Sequence, residues 1–243
     1  MQRRTWGDCL PKNIIEIKGL RKVYHVGSER VVALNHITLD IAEGEFCCLL
    51  GTSGSGKSTL LNLLAGLEKP SLGSVRIKGQ QIEKMNEKQL VKFRQQNIGF
   101  IFQSYNLLPT LTALENVALP LAFRSIPKRQ REAMAKDILE RVGLGQHLAH
   151  RPTQMSGGQQ QRVGIARALV SKPPIVFADE PTGNLDSKTT REVMEIMTEL
   201  TEQNRQTLVL VTHDMSIASF AHRIIHISDG NIVKIVLNRK RSG

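Results

Sequence analysis

No apolar run in this 243-residue chain reaches the roughly 18–20 residues that a membrane-spanning helix needs. The longest, Leu60 to Leu67, is interrupted by Asn62. Met1 to Pro11 carries Arg3 and Arg4 but no apolar stretch, so it does not read as a secretory leader. Cysteine is scarce: there are three, an odd number, and Cys47 and Cys48 are adjacent in an apolar run. That excludes the paired framework of small secreted domains. No Cys/His group has zinc-site spacing, and neither an internal repeat nor a low-complexity linker is present. These absences lead us to expect a protein that stays in the cytosol. Acidic residues are outnumbered, 22 against 33 Lys and Arg, for a net charge of +11. Such an excess favours nucleotides, nucleic acid or an anionic membrane surface in a general way, and equally fits a merely solvated basic surface. The one true cluster, Arg239-Lys240-Arg241, is too short to argue for nucleic acid.

What is present is an alternation of strands and helices. Ile14 to Ile17 and Val31 to Ile41 are rich in β-branched residues and predict strands. Phe46 to Leu50 is a continuous apolar run, the pattern of a strand buried on both faces, and it feeds into Gly51. A helix follows from Lys57 to about Ala65, then strands at Ser74 to Lys78 and Ile98 to Phe102. From about Tyr105 to Val170 the signal is helical, with Met134, Ile138 and Val142 on one face. After Pro173-Pro174 the alternation returns: strands at Ile175 to Ala178, Leu208 to Val211, Arg223 to Ile227 and Asn231 to Ile235, and a helix from Lys188 to Leu200 with Val193, Met194, Met197 and Leu200 along one stripe. This predicts an α/β domain with a mostly parallel sheet and a helical insertion.

Four segments carry chemistry. Gly51-Thr52-Ser53-Gly54-Ser55-Gly56-Lys57-Ser58 matches the phosphate-binding loop pattern in full, between a strand and a helix as that motif requires. Its glycines let backbone N–H groups wrap phosphates, Lys57 reaches the β- and γ-phosphates, and the Ser58 hydroxyl suits Mg²⁺. Ile175 to Ala178 runs into Asp179 and Glu180. Asp179 is placed for the magnesium shell and Glu180 for polarising a water aimed at the γ-phosphate, and the period-two alternation of a strand suits two separate jobs. The strand Leu208 to Val211 ends at Thr212-His213-Asp214, so His213 should open on the edge where α/β sheets bind ligands. Ser156-Gly157-Gly158-Gln159 reads as a helix start, with Ser156 as cap and Gln159 closing a capping box. Its two glycines leave the first-turn N–H groups open to an anion at the positive end of the helix dipole. Taken singly, Gln103 reads as a loop glutamine and Tyr24 as a partly buried strand aromatic, or, if it binds, as a base-stacking ring.

Together these segments resemble the nucleotide-binding subunit of ATP-binding cassette (ABC) transporters, from about Ile14 to Ile235 and with every motif in order. The resemblance implies a P-loop NTPase core with a mostly parallel sheet, an N-terminal antiparallel β subdomain and an inserted α-helical subdomain. Residues 13–102 and 171–243 would form the ATP-binding core with the β subdomain, and 103–170 the helical subdomain. On this resemblance Tyr24 is the adenine-stacking aromatic, and Gly51 to Ser58 with Thr59 holds the phosphates. Gln103 senses Mg²⁺ and the membrane partner, and Ser58, Gln103 and Asp179 hold the metal. Ser156 to Gln159 is the signature, Glu180 the catalytic carboxylate, Asp186 in Asn184-Leu185-Asp186 a further nucleotide-side residue, and His213 the switch histidine. Met155 stands where leucine is usual, a swap that conserves volume. The run Tyr105 to Val117, with Gly157 to Val163, is similar to the macrolide-exporter, lipoprotein-release and cell-division type.

The implied cofactors are ATP and Mg²⁺. The implied partners are a second ATPase copy and a separate transmembrane permease, on the cytoplasmic side of the inner membrane. No specific nucleic acid is implied. The chain ends soon after Ile235, which leads us to expect no added regulatory domain. Two rivals stay open at this stage. One is an ABC-type ATPase acting on nucleic acid or ribosomes, suggested by the charge. Against it stand the single cassette and the interval of only about a hundred residues between phosphate loop and signature. The other is a non-hydrolysing scaffold, against which Glu180 and His213 argue.

Overall fold

The computed structural model describes residues 12–238, so Met1 to Pro11 and the basic cluster at 239–241 lie outside the described residues. Those residues divide into two compact units, 12–91 with 207–238, and 92–206.

The first unit holds two sheets. Strands β1 (Asn13–Val26), β2 (Glu29–Ala42), β4 (Leu72–Ile77) and β5 (Gln80–Gln81) form an antiparallel sheet in the order β2-β1-β4-β5. Ile17 pairs with Leu39 on one side and Val75 on the other, and these three are buried. β1 runs well past the expected Ile17. The residue responsible is Gly19, whose φ of 56° sits at a register shift between Ile17 and Leu20. Such a bulge breaks the alternation that sequence reading relies on. The second sheet of this unit contains β3 (Phe46–Leu50), β8 (Thr207–Thr212), β9 (Arg223–Ser228) and β10 (Asn231–Leu237), in the order β10-β9-β3-β8. β3 pairs in parallel with β8 and β9, and β9 and β10 form an antiparallel hairpin. All five residues of β3 are buried, as its unbroken apolar run requires. Helix α1 (Lys57–Leu64) buries Leu60, Leu61, Leu63 and Leu64, each contributing about 1.5–3 kcal/mol if fully withdrawn from water. Arg223 spans Glu45 with two short hydrogen bonds (Nε to Oε1 2.6 Å, Nη2 to Oε2 2.9 Å), which fixes β9 to the approach of β3. Burial pushes both adjacent thiols up, that of Cys48 to about 12, so they pack as small apolar side chains.

The second unit carries two parallel strands and most of the helices. β6 (Ile98–Phe102) pairs with β7 (Ile175–Asp179), placing Phe102 opposite Asp179. Around them lie α3 (Ala113–Phe123), α4 (Lys128–Arg141), α5 (Gly157–Leu169) and α6 (Ser187–Gln203). α6 buries Val193, Met194, Met197 and Leu200, the predicted stripe. It also buries Thr198 and Thr201, whose hydroxyls donate to the carbonyls of Met194 (2.7 Å) and Met197 (2.9 Å). The helix α2 (Glu87–Asn97), in which Leu90 and Phe93 are buried among polar residues, was not expected from the sequence. A short α7 (Met215–Ala218) follows β8 in the first unit. The expected α/β class is therefore found, with parallel strands, an antiparallel N-terminal sheet and a helix-rich segment.

Candidate functional site

In the first unit the phosphate loop leaves β3 and enters α1 directly. Gly56 is the N-cap of α1 at φ 98°, and no side chain caps the helix. Its backbone lies against β2, where a Cβ would come within 2.4 Å of the Ala33 carbonyl oxygen. Only glycine satisfies both the left-handed φ and the close approach. With no side-chain cap in the way, the positive end of the α1 dipole faces the loop, an arrangement that suits an anion. Thr52, Ser53 and Gly54 are exposed, while Ser55 and Lys57 are buried. Lys57 Nζ donates to the Thr52 carbonyl at 2.6 Å and reaches Ser55 Oγ at 3.5 Å. An ammonium held inside its own loop is pre-placed for phosphate oxygens, and Ser58 and Thr59 follow on the first turn of α1.

His213 lies on the same end of this sheet. Leu50 pairs with Thr212, and Gly51 N donates to the Thr212 carbonyl at 3.4 Å, so His213 leaves β8 beside the loop. Asp214 then caps α7 through Ser216, and this holds its carboxyl below the usual range. Tyr24 sits on β1, and its hydroxyl donates to Glu68 Oε2 at 2.7 Å. Lys22 pairs with the same oxygen at 3.0 Å and lies over the ring, 4.9 Å from its centroid. Burial first, then the bond to Glu68, raises the Tyr24 phenol, which also bonds Thr59 next to the phosphate loop. A clamped ring with a cation near one face offers the other face for stacking.

The second unit gathers the remaining candidates. Asp179 is the last residue of β7, and Glu180 follows at φ 44°, in the left-handed region. A non-glycine residue held there stores strain, a pattern concentrated at functional sites. Gly183 N donates to the Glu180 carbonyl at 3.1 Å, closing the turn. Gln103 leaves the paired strand β6, and its carbonyl accepts from Asn184 Nδ2 at 3.2 Å. Asp186 caps α6, accepting from Lys188 N and Thr189 N and from the Thr189 hydroxyl at 2.7 Å; the Thr189 bonds hold its carboxyl below the usual range. Ser156 caps α5 with the expected capping box, Ser156 Oγ accepting from Gln159 N and Gln159 Oε1 from Ser156 N. The signature glycines pack against this neighbourhood. A Cβ on Gly157 would stand 2.8 Å from the Tyr105 hydroxyl, and one on Gly158 2.4 Å from the Thr189 methyl. Gln103, Glu180, Asp186 and Ser156 are therefore parts of one packed region of this unit.

Two further residues support this region. Arg167 of α5, its guanidinium lowered by burial, donates to the carbonyls of Tyr105 and Asn106, which stand at φ 58° and 50°. Asn116 is fully buried and satisfied: it accepts from Leu108 N (2.8 Å) and donates to the carbonyls of Leu108, Leu111 and Thr112. Together they shape the path from Gln103 to α3. Only their contacts reveal them; in the sequence they are an arginine in a helix and an asparagine in an apolar run.

Among the described residues no helix is long and apolar enough to cross a membrane. The family model described as "ABC transporter" matches residues 34–183. The lipoprotein-releasing system ATP-binding protein LolD of Pseudomonas fluorescens is 47% identical, over 92% of this chain and 99% of LolD. The macrolide export ATP-binding/permease protein MacB of Vibrio parahaemolyticus is 47% identical over 93% of this chain, which spans 34% of MacB. The ATP-binding cassette MJ0796, solved as a dimer in a post-hydrolysis state bound to ADP and Pi, superposes with a TM-score of 0.86 at 44% identity, covering 93% of this chain and 99% of that one. The same protein is known from Methanocaldococcus jannaschii as an uncharacterized ABC transporter ATP-binding protein, 46% identical. With its phosphate loop, its strained glutamate after β7 and its capped signature helix, the chain belongs to the ABC transporter family, as the ATP-binding part.

Proposed function

We propose that the chain is the ATP-hydrolysing subunit of a transporter of the lipoprotein-release or macrolide-export type, working as a head-to-tail pair on a separate permease. The observation that carries this reading is the presence of two unlike helix starts. α1 opens with no side-chain cap and a buried lysine. α5 opens with a serine whose hydroxyl is already engaged in its own capping box, and with two glycines clearing the approach. The first suits the phosphates of a nucleotide bound by the same chain; the second suits a phosphate that arrives on another chain.

In this reading Tyr24 stacks on adenine, and the backbone from Gly51 to Thr59 with Lys57 holds the phosphates. Ser58, Gln103 and Asp179 offer the hydroxyl, amide and carboxylate oxygens that suit Mg²⁺. When bound, that ion neutralises phosphate charge. Glu180 accepts the proton of the attacking water, and His213 steadies the γ-phosphate. Ser156 to Gln159 and Asp186 complete the partner's site. We assign residues 13–102 and 171–243 to the ATP-binding core with its β subdomain, and 103–170 to a helical subdomain that meets the permease near Gln103. The protein then works at the cytoplasmic face of the inner membrane as a peripheral subunit.

Glu180→Gln tests this. The variant should bind MgATP normally, lose turnover by a factor on the order of 10²–10⁴ as expected for a general base, and persist as an ATP-bound dimer. Steady-state hydrolysis at the wild-type rate refutes the assignment.

A further inference from the structure

Ser156 serves a partner's phosphate only if it is held still at the start of α5, and the hold is Gln159. Because Ser156 N is a donor, the atom of Gln159 facing it, at 2.9 Å, must be the carbonyl oxygen. The other end of that carboxamide is therefore the NH₂ group, and it lies 3.2 Å from His147 Nε2. An amide nitrogen donates and does not accept. His147 Nε2 must then offer its lone pair, which places the imidazole proton on Nδ1. Nδ1 is itself buried, with no hydrogen-bond partner among the described residues. The backbone that carries the ring is fixed from behind. His147 N donates to the Leu144 carbonyl (2.9 Å), and His150 N donates to the His147 carbonyl (3.0 Å). The start of α3 pins the segment through Leu114 N to Leu148 O (3.0 Å) and Ala113 N to His150 O (2.8 Å). The His150 ring packs at a tilt, 4.9 Å away.

We propose that His147 is a positioning residue of the signature half-site: its neutral ring accepts from Gln159 and so fixes the capping box that presents Ser156. The proposal rests on the reading above, that Ser156 acts on a partner's nucleotide. The choice of residue follows from charge. A carboxylate would accept this bond as well, but it would place an anion beside the N-terminus where the phosphate must arrive. A neutral imidazole provides the acceptor without that repulsion.

The test uses the full chain in the Glu180→Gln background, with ATP-driven dimerisation read by analytical ultracentrifugation and single-chain nucleotide affinity read by calorimetry. His147→Ala should weaken dimerisation by about two- to tenfold, the range carried by one neutral hydrogen bond, and leave single-chain ATP affinity unchanged. His147→Gln, whose side-chain oxygen accepts, should restore most of the loss. In the parent chain, long-range ¹⁵N–¹H correlation of the imidazole should find the proton on Nδ1, a readout that bulk packing would not move. A proton on Nε2 overturns the proposal even if the alanine variant fails to fold. So does normal dimerisation of His147→Ala when Ser156→Arg, run beside it, does not dimerise. If Ser156→Arg also dimerises normally, the partner-site reading fails and takes this proposal with it.

Discussion

Replacing Gly158 by alanine should reveal how closely the signature helix is held to the start of α6. Gly158 lies in the first turn of α5 with ordinary helical backbone, so alanine would normally stabilise it by about 1 kcal/mol. Here the added Cβ would stand 2.4 Å from the Thr189 methyl carbon. Thr189 cannot simply turn away, because its hydroxyl donates to Asp186 Oδ2 at 2.7 Å while its N–H donates to Asp186 Oδ1 at 3.0 Å. Overpacking of this kind costs about 1–3 kcal/mol, so the clash offsets or outweighs the gain in propensity and the net change is about 0–2 kcal/mol of destabilisation. For a chain of this size that is a fall in Tm of up to about 8 °C. Thr189→Ser keeps the hydroxyl and removes the methyl, so in that background Gly158→Ala should raise Tm by about 2–4 °C. The assay is calorimetric melting of the two single variants and the double variant, read as a double-mutant cycle with a coupling of about 1–3 kcal/mol. A coupling of zero, or a simple stabilisation by Gly158→Ala alone, refutes the argument that this glycine is required by Thr189.

Further outcomes follow from other contacts. Arg167→Met strips the donors from the Tyr105 and Asn106 carbonyls; unfolding should become easier by about 1–3 kcal/mol, checked by urea titration. Burial alone would raise the Glu68 carboxyl, but the bonds from Tyr24, Lys22 and Asn62 and the charge of Lys22 hold it below its usual range. A depressed folded pKa adds stability above the unfolded value, about 4.3, and that stability is lost as pH falls through the folded value. Glu68→Gln should therefore lower Tm at pH 7, with the gap to wild type closing on titration to pH 3; a gap that persists at pH 3 contradicts the assignment.

The parts of the fold legible in sequence are those in which neighbours along the chain decide the outcome. The five buried residues of β3 read as one apolar run, the α6 stripe as a helical period, and the Ser156 box as a spacing of three. Tertiary contact decides the rest. Tyr24 finds Glu68 at a separation of 44 residues, Arg167 finds Tyr105 at 62, and Arg223 finds Glu45 at 178. None of these leaves a local trace. α2 was hidden because only Leu90 and Phe93 of its weakly patterned residues are buried, and the length of β1 because Gly19 bulges it. The positions of Gln103, Glu180 and His213 at strand ends were readable; the left-handed backbone of Glu180 and the histidine behind Gln159 were not.

On the proposed function, Ser156 to Gln159 is half of a site completed by another chain. The most direct measurement is ATP binding and oligomeric state of Ser156→Arg in the Glu180→Gln background, in the same sample. The variant should bind ATP through its own phosphate loop and stay monomeric, while the Glu180→Gln parent dimerises. Loss of ATP binding, or dimerisation equal to the parent's, would contradict it.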